Sequence, residues 1–457
     1  MTLRIGNGAG FLGDNIDAPR LLAEGAELDY LTLEYLAELT MSILARLREK
    51  NPGAGYANDF IEVLASLTKT LARQPRLRII TNAGGVNPRA CAKGAAAVLA
   101  AAGLDKAMIG MVTGDDLTAR LAKLQADGCR FENMDTGQPL SELTQPVVSA
   151  NAYLGAAPIV RALEGGSRIV ITGRVADASL TVGPAVHEFG WGWQHADRLA
   201  GASVAGHLIE CGAQATGAYL PGWQSQDLAN VGYPIAELEP DGSCVITKPQ
   251  RSSGAVTRQS VAAQLIYEIG DPAHYLTPDV DVDFTTVELQ SAGPNRVSVR
   301  GATGGPAPDT LKVSLAYRDG YMASGQLLVY GHDCLAKAQA CADIIWQRLK
   351  RAGLSLRQTH VEFLGTGQAV PGMPAVGEPR EIMLRMSARD ASREAVERFT
   401  REFAPLATSG PAGLAGYTSA RGTVRPVFSY WPTLIPRDLV QPLVEVRSAR
   451  EWVETTG

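Results

Sequence analysis

The chain has 457 residues, of which 46% are apolar and 19% charged, so its composition is that of a globular protein and excludes a disordered or coiled-coil one. Its net charge of −5 comes from interspersed residues without a basic block, which argues against a nucleic-acid partner, because binding to phosphate backbones depends on clustered Lys and Arg. A single hydrophobic core rarely serves more than about 250–300 residues, so we expect two domains.

The cysteines and the apolar runs indicate the cellular compartment. Six cysteines are scattered without a C-x-x-C pair, which predicts reduced thiols in a reducing compartment and neither a zinc ribbon nor a dithiol redox site. The segment Met1–Gly10 lacks the basic and apolar regions of a signal peptide. No later run approaches the roughly 20 apolar residues that cross a bilayer. We therefore expect a cytoplasmic protein with no membrane partner.

The first half of the chain alternates short apolar runs with longer helical patterns, as a largely parallel sheet with covering helices requires. The predicted strands are Leu3–Ile5, Leu28–Leu33, Leu77–Thr81, Ala107–Val112, Val147–Ala150 and Arg168–Thr172. The predicted helices are Ala18–Ala23, Leu36–Lys50, Phe60–Arg73, Arg89–Ala102, Asp116–Ala126, Ala156–Leu163 and Ala176–Phe189. This order predicts an α/β domain over residues 1–220, with ligands bound by the loops at the carboxyl ends of its strands.

From about Pro221 the pattern changes to hairpins. Turn sequences, in which Gly and Asn supply positive φ, stand at Glu239–Gly242, Gly293–Asn295 and Arg318–Gly320. The later predicted elements are helices at Cys334–Arg351 and Ala391–Phe403 and strands at His360–Leu364 and Glu381–Arg389. Residues 221–457 are therefore predicted to form an α+β domain with antiparallel hairpins.

A glycine-rich loop follows the first predicted strand. Gly6–Gly13 contains a G-x-G-x-x-G match, and Glu34 stands at the spacing of a ribose-binding acid, which by themselves suggest a dinucleotide. Asp14 opposes a pyrophosphate and the next helix begins too late, so NAD is disfavoured. The other interpretations are a loop that admits substrate closely, with Asn7, Gly10, Asp14 and Glu34 around it, and a tight turn with solvated acids.

A second polar loop lies between a predicted strand and an Ala-rich helix. Asn87 and Pro88 have the residue types of a helix N-cap and first helical position, and the free N–H groups there favour a carboxylate or phosphate. Asn82 and Gly84 precede them in the same loop. The sequence predicts either an anion-binding site here or only a capped helix.

A third polar loop follows the strand that ends at Thr172. Arg174 has the side chain that clamps a substrate carboxylate or phosphate with two hydrogen bonds, and Asp177 stands one helical turn later to hold it. A structural ion pair between Arg174 and Asp177 is the alternative interpretation.

The most informative segment is a predicted helix, Ala202–Tyr219, that is almost entirely small or apolar. Its exceptions, which fall within about 60° of one another on the helix surface, are Ser203, His207, Glu210 and Gln214. Buried polar groups need partners, so this stripe is expected to face a polar cavity, a metal or another polar element. His207 and Glu210 are therefore candidates for an acid/base pair, for two ligands of a divalent metal, or for a satisfied core pair.

Several long segments together resemble the acyclic terpene utilisation AtuA family, with the likeness running from about Leu3 to Val446. These segments are Gly6–Asp14, Thr81–Gly85, Ile171–Asp177, Gly206–Gln214 and Arg425–Pro432. The resemblance implies a role in the catabolism of branched acids such as acyclic terpenes, which proceeds through acyl-CoA thioesters. Longer relatives carry a further C-terminal domain that this chain lacks, so the resemblance also implies a separate small AtuA-related subunit. We further expect a homo-oligomer.

These patterns lead to one function and two alternatives. The expected function is that of a lyase, a hydratase or dehydratase acting on a small branched carboxylate or its acyl-CoA thioester. In this hypothesis His207, Glu210, Asp14 and Glu34 are catalytic, while the substrate is bound by Asn7, Gly10, Asn82, Gly84, Asn87, Thr172, Arg174, Asp177 and Gln214. The alternatives are a non-catalytic acyl-CoA- or nucleotide-binding subunit and an NAD-linked oxidoreductase. The sequence leaves a divalent metal open.

Overall fold

A computed structural model of the chain describes residues 2–219, 221–374, 377–416 and 422–454. It forms two compact units, one of Met1–Ala316 with Tyr430–Gly457 and one of Tyr317–Ser429. The domain boundary predicted at residue 220 lies inside the first unit. As a boundary between independently folding domains it stays a prediction.

The described residues form nineteen strands. In chain order they are β1 (Leu3–Asn7), β2 (Tyr30–Leu33), β3 (Arg78–Thr81), β4 (Met108–Thr113), β5 (Val147–Ala152), β6 (Ile169–Thr172), β7 (Ile235–Leu238), β8 (Cys244–Thr247), β9 (Tyr275–Leu276), β10 (Asp281–Asp283), β11 (Glu288–Ser291), β12 (Val297–Arg300), β13 (Thr303–Gly305), β14 (Thr310–Tyr330), β15 (Gln358–Leu364), β16 (Glu381–Asp390), β17 (Leu414–Gly416), β18 (Arg425–Pro436) and β19 (Leu443–Ser448).

The same residues form thirteen α-helices. They are α1 (Ala18–Gly25), α2 (Glu38–Lys50), α3 (Asp59–Arg73), α4 (Pro88–Ala101), α5 (Leu121–Ala126), α6 (Ala157–Glu164), α7 (Ser179–Phe189), α8 (Ala196–Glu210), α9 (Arg258–Leu265), α10 (Cys334–Arg351), α11 (Arg393–Thr400), α12 (Leu406–Ser409) and α13 (Ala449–Glu454). Across the described part of the chain, every helix is too short or too polar to traverse a bilayer.

The first unit is built on a ten-stranded mixed sheet in the order β11-β12-β8-β7-β1-β2-β3-β6-β4-β19. The central five strands, β1, β2, β3, β6 and β4, run parallel to one another. Their residues are almost all buried, as expected for parallel strands covered by helices on both faces. The mixed α/β architecture predicted from the sequence is confirmed.

The parallel strands bring several polar loops to one edge of the sheet. Because their carboxyl ends coincide, the loops that follow β2, β3, β4 and β6 lie side by side. The predicted polar residues Glu34, Asn82 and Arg174 stand in three of these loops, directly after Leu33, Thr81 and Thr172 or within two residues of them. This edge is therefore where the candidate site is built.

Two of the three predicted hairpins are confirmed. Glu239–Gly242 joins β7 to β8, and Gly293–Asn295 joins β11 to β12, each pair being antiparallel. The third predicted turn, Arg318–Gly320, is wrong, because β14 continues through it as a strand of 21 residues. Gly320 keeps a positive φ of +83° within that strand, so its backbone conformation bends the strand without reversing it.

The second unit contains the sheet strands β15, β16 and β17 with most of β14. One face of β16, made by Ile382, Leu384 and Met386, is buried in a common core with α10. Helix α10 has the bounds predicted from its apolar periodicity, Cys334–Arg351. The unit thus has a core of its own.

Candidate functional site

Helix α8 is buried on nearly every side and carries the two side chains at the centre of the candidate site. Residues 199–209 are all buried. The prediction of one helix over Ala202–Tyr219 is wrong, because the α-helix begins at Ala196 and ends at Glu210. Gly212, with a φ of +56°, then turns the chain into a 3₁₀ turn. The polar stripe therefore stops at Glu210.

His207 is held on both sides of its ring. Its Nε2 lies 2.9 Å from the backbone oxygen of Gln264, and its Nδ1 lies 3.2 Å from Oε1 of Glu210. Since a carbonyl only accepts hydrogen bonds, Nε2 carries a proton, and the carboxylate beside Nδ1 favours a second one. Burial alone lowers the pKa of His207, but the hydrogen bond and charge of Glu210 outweigh it, so this pKa is raised.

His207 and Glu210 open onto a cavity of about 330 Å³ that lies entirely within the first unit. The lining side chains with polar groups are Glu38, Tyr153, Asp177, His207, Glu210, Glu268, Tyr275, Thr277, Thr310 and Lys312. Three large apolar lining residues are also exposed to solvent, namely Met134, Leu276 and Leu434. The cavity thus has an acidic interior and an apolar border.

Asp177 is a carboxyl group of the cavity with a raised pKa. Burial raises this pKa to about 7; the charge of Arg174 opposes that shift and the charge of Glu210 adds to it. The side chain of Asp177 retains 36% of its exposure, so it is open to a ligand in the cavity. At neutral pH a substantial share of Asp177 therefore carries a proton while it faces the ligand space.

Arg174 meets Asp177 rather than the cavity. Its guanidinium is buried, donates to the backbone oxygen of Leu36, lies 3.1 Å from Oδ1 of Asp177 and stacks 4.1 Å from the centre of the Tyr153 ring. Its backbone N–H donates to Asp115 at 2.8 Å. The structural ion pair left open by the sequence is therefore present, and Arg174 positions Asp177.

Three of the cavity residues that the sequence analysis did not identify, Glu38, Tyr153 and Lys312, contact one another. The Tyr153 hydroxyl donates to Oε1 of Glu38 at 3.1 Å, and Nζ of Lys312 lies 3.5 Å from the same oxygen. Glu38 begins α2, Tyr153 follows β5, and Lys312 lies on β14, which pairs with β5. No local sequence pattern links three residues so far apart in the chain. Glu38 and Tyr153 each follow a predicted strand, and that position was the only signal for them in the sequence.

Two residues of the predicted stripe do not line the cavity. The Ser203 hydroxyl donates to the oxygen of Leu199 at 2.8 Å, one turn back in its own helix. Gln214 belongs to the 3₁₀ turn that begins at Gly212. Because α8 ends at Glu210, the position of Gln214 no longer follows the helical repeat, and Gln214 does not belong to the polar stripe.

The glycine-rich loop supports the end of α8. The side-chain amide of Asn7 donates to the oxygens of Ile209 and Glu210 at 2.8 and 2.9 Å. A Cβ on Gly10 would lie 3.1 Å from the same Glu210 oxygen. Asp14 accepts from the N–H of Gly10 and from the Tyr233 hydroxyl at 2.8 and 2.6 Å. None of Asn7, Gly10 and Asp14 lines the cavity. The glycine-rich loop therefore approaches the carboxyl end of α8 closely, rather than a ligand in the cavity.

Glu34 and Asn82 form a buried pair behind the cavity. The Asn82 amide donates to Oε1 of Glu34, and its own oxygen accepts from the N–H of Tyr35 at 2.8 Å. Oε2 of Glu34 has no hydrogen-bond partner among the described residues. Burial, together with the charge of Asp177, raises the pKa of Glu34, and Arg174 opposes this shift.

The remaining predicted residues have local roles. Asn87 caps α4 by accepting from the N–H of Ala90 at 3.3 Å, and its amide donates to the backbone oxygens of Pro52 and Ala54 in the loop between α2 and α3. Gly84 passes close to the backbone of Thr172, where a Cβ would lie 2.5 Å from the Thr172 oxygen. The Asn87 cap is confirmed, whereas neither Asn87, Gly84 nor Thr172 lines the cavity.

The cavity is lined by several titratable side chains. Within the described residues, no three His, Cys, Asp or Glu side chains are grouped closely enough to hold a metal ion. Asp177 and Glu210 both line the cavity, and the charge of Glu210 helps to raise the pKa of Asp177.

The comparison with protein families decides the affiliation. The model of the acyclic terpene utilisation family protein AtuA matches residues 3–446. The chain belongs to the AtuA family. Membership gives this AtuA protein a role in acyclic terpene utilisation and so in catabolism. No curated protein and no solved structure matches it.

Proposed function

We propose that this AtuA protein is a lyase that adds water to, or removes it from, a branched acyl compound, as a free carboxylate or a thioester. The observation that carries the proposal is that Asp177, whose pKa burial raises to about 7, and Glu210, which lies 3.2 Å from Nδ1 of His207, line one cavity. Such a pair supplies one carboxyl group as an acid and one carboxylate as a base at neutral pH.

In the dehydration direction, Glu210 takes the proton from the carbon next to the carbonyl group. Asp177 gives its proton to the hydroxyl group on the following carbon, the carbon–oxygen bond breaks, and water leaves with a carbon–carbon double bond behind it. The proton on Glu210 then returns to Asp177, so the enzyme ends as it began. Hydration is the same sequence reversed.

His207 and Lys312 support the charges of this reaction. The imidazole beside Glu210 orients its carboxylate. Lys312 is the lining cation with partial exposure, 41%, so it is available to the negative charge that develops on the substrate oxygen. The exposed apolar residues Met134, Leu276 and Leu434 favour a hydrocarbon chain that extends beyond the cavity.

Hydrogen exchange at carbon tests the two halves of the reaction separately. The purified chain, alone and with a small AtuA-related partner, is incubated in D₂O with branched 3-hydroxy acids and their CoA thioesters. We expect deuterium at the carbon next to the carbonyl and formation of the unsaturated product. Asp177→Asn should retain exchange and lose elimination, whereas Glu210→Gln should lose both.

A non-catalytic binding subunit gives a different result. It would bind an acyl-CoA or nucleotide in calorimetry without exchange or turnover, whether or not the partner is present. That outcome would refute the lyase proposal.

A further inference from the structure

A second cleft lies at the amino ends of the parallel strands, opposite the cavity that Asp177 and Glu210 line, which we call the catalytic cavity. Its volume is about 460 Å³, and it is formed where β2, β3, β4 and β6 begin. Its charged lining residues are Asp29, Arg76, Arg78, Lys106, Arg168 and Glu188. Four cations thus converge on one cleft with two carboxylates, an excess of two positive charges.

Arg168 is the fixed cation of this cleft. Its guanidinium donates to the backbone oxygens of Leu77 and Gln74, at 3.3 and 2.9 Å, and to that of Leu71. Within the described residues, no carboxylate forms an ion pair with it. Burial lowers the pKa of Arg168, which is the mark of a cation whose charge is not compensated nearby.

The carboxylates of the cleft neutralise only part of its charge. Glu188 accepts from the Tyr30 hydroxyl at 2.6 Å and lies 3.4 Å from Arg78. Asp29 makes a loose contact of 3.9 Å with Arg76, whose side chain is 78% exposed. Arg76 is therefore free to turn towards a ligand, and Arg168 has no such competitor.

We propose that this cleft binds the diphosphate group of a small molecule. Guanidinium groups match phosphoryl oxygens with paired hydrogen bonds, and Lys106 adds a mobile point charge. The excess of two positive charges favours a ligand with at least two negative charges, which a diphosphate supplies in a group small enough for the cleft. The site does not depend on the lyase proposal, because it shares no residue with the catalytic cavity.

Calorimetry with inorganic pyrophosphate at low ionic strength tests the site on the whole chain. We expect saturable binding that weakens as NaCl is added. The double variant Arg76→Glu with Lys106→Glu should bind at least tenfold more weakly, since both side chains are exposed and their reversal leaves the three carbonyl contacts of Arg168 intact. Arg251→Glu, an exposed turn cation outside the cleft, is the matched control and should bind as the wild type does.

Parallel titrations with ADP and with CoA distinguish the sources of the diphosphate. Tighter binding of ADP or CoA than of pyrophosphate supports a nucleotide ligand, and the reverse supports an inorganic one. Absence of saturable heat with all three probes overturns the proposal. Equal affinity of the folded double variant, with circular dichroism matching the wild type, overturns it as well. Neither result bears on hydrogen exchange in the catalytic cavity.

Discussion

Gln264 and His207 are joined by two hydrogen bonds that run in opposite directions. The imidazole Nε2 of His207 donates to the Gln264 backbone oxygen at 2.9 Å, and the Gln264 side-chain amide donates to the His207 backbone oxygen at 3.0 Å. The Phe284 ring packs edge to face against the imidazole, with 5.5 Å between the two ring centres. These contacts fix the ring so that Nδ1 faces Glu210, which is the orientation that the proposed mechanism requires.

Replacement of His207 by Ala separates a catalytic pair from a structural one. We expect turnover to fall by about 10²-fold, because Glu210, the proposed base, loses the imidazole that positions it. The loss of a donor to the Gln264 carbonyl should also lower the free energy of unfolding by about 1–3 kcal/mol. Steady-state kinetics and urea unfolding measure the two effects. Lower stability with unchanged turnover would identify a purely structural pair.

Replacement of Asp177 by Asn tests the proposed acid. In the wild type the dehydration rate should decline above pH 7, because the pKa of Asp177 lies at about 7 and its proton is needed for the leaving hydroxyl. The Asn variant should be slower by at least about 10²-fold and should lack this alkaline decline. Rates measured from pH 5 to pH 9 give both profiles. An unchanged alkaline limb in the variant would assign that limb to another group.

The same carboxyl group predicts a pH dependence of stability. The pKa of Asp177 in the folded chain, about 7, lies above its ordinary value of 3.8. The folded state therefore binds the proton more tightly than the unfolded one, so stability falls as the pH rises from about 4 to about 7. In Asp177→Asn this part of the dependence should be absent. Thermal unfolding of both proteins across that range, read as the difference between the two curves, measures it.

Replacement of Lys312 by Met tests the cation of the cavity. If Lys312 meets the developing negative charge and the substrate carbonyl, the variant should lose about tenfold or more in kcat/KM, equivalent to about 1.4 kcal/mol. Lys123→Met, an exposed helical lysine outside the cavity, is the matched control. Equal kinetics in the two variants would remove Lys312 from the mechanism.

Replacement of Asn7 by Ala tests the support under α8. Its side-chain amide bonds the oxygens of Ile209 and Glu210, so its loss leaves buried acceptors unsatisfied at a cost of about 1–3 kcal/mol. Thr32→Val removes one donor to Asn7 and should cost less. Urea unfolding measures both. Activity of Asn7→Ala should fall through displacement of Glu210, with the pH profile of the wild type retained.

The apolar periodicities determined most of the secondary structure. The helix Cys334–Arg351 has the predicted bounds, and the strand predicted at Glu381–Arg389 ends one residue later, at Asp390, because their burial patterns repeat at 3.6 and 2 residues. Two predictions from composition were wrong, the turn at Arg318–Gly320 and the helix end at Tyr219. A glycine in a turn-like context also occurs within a continuous strand, and a run of small residues does not reveal where a helix stops.

The candidate site was likewise predicted only in part from the sequence. The sequence by itself picked out His207 and Glu210, because polar residues in apolar surroundings need partners wherever they lie, and it picked out Asp177 from its spacing to Arg174. It could not bring Glu38 or Lys312 to them, since those contacts depend on strand order and on the crossing of distant segments. Tertiary structure alone also decided that Arg174 is enclosed, because the burial of a guanidinium follows from what packs over it.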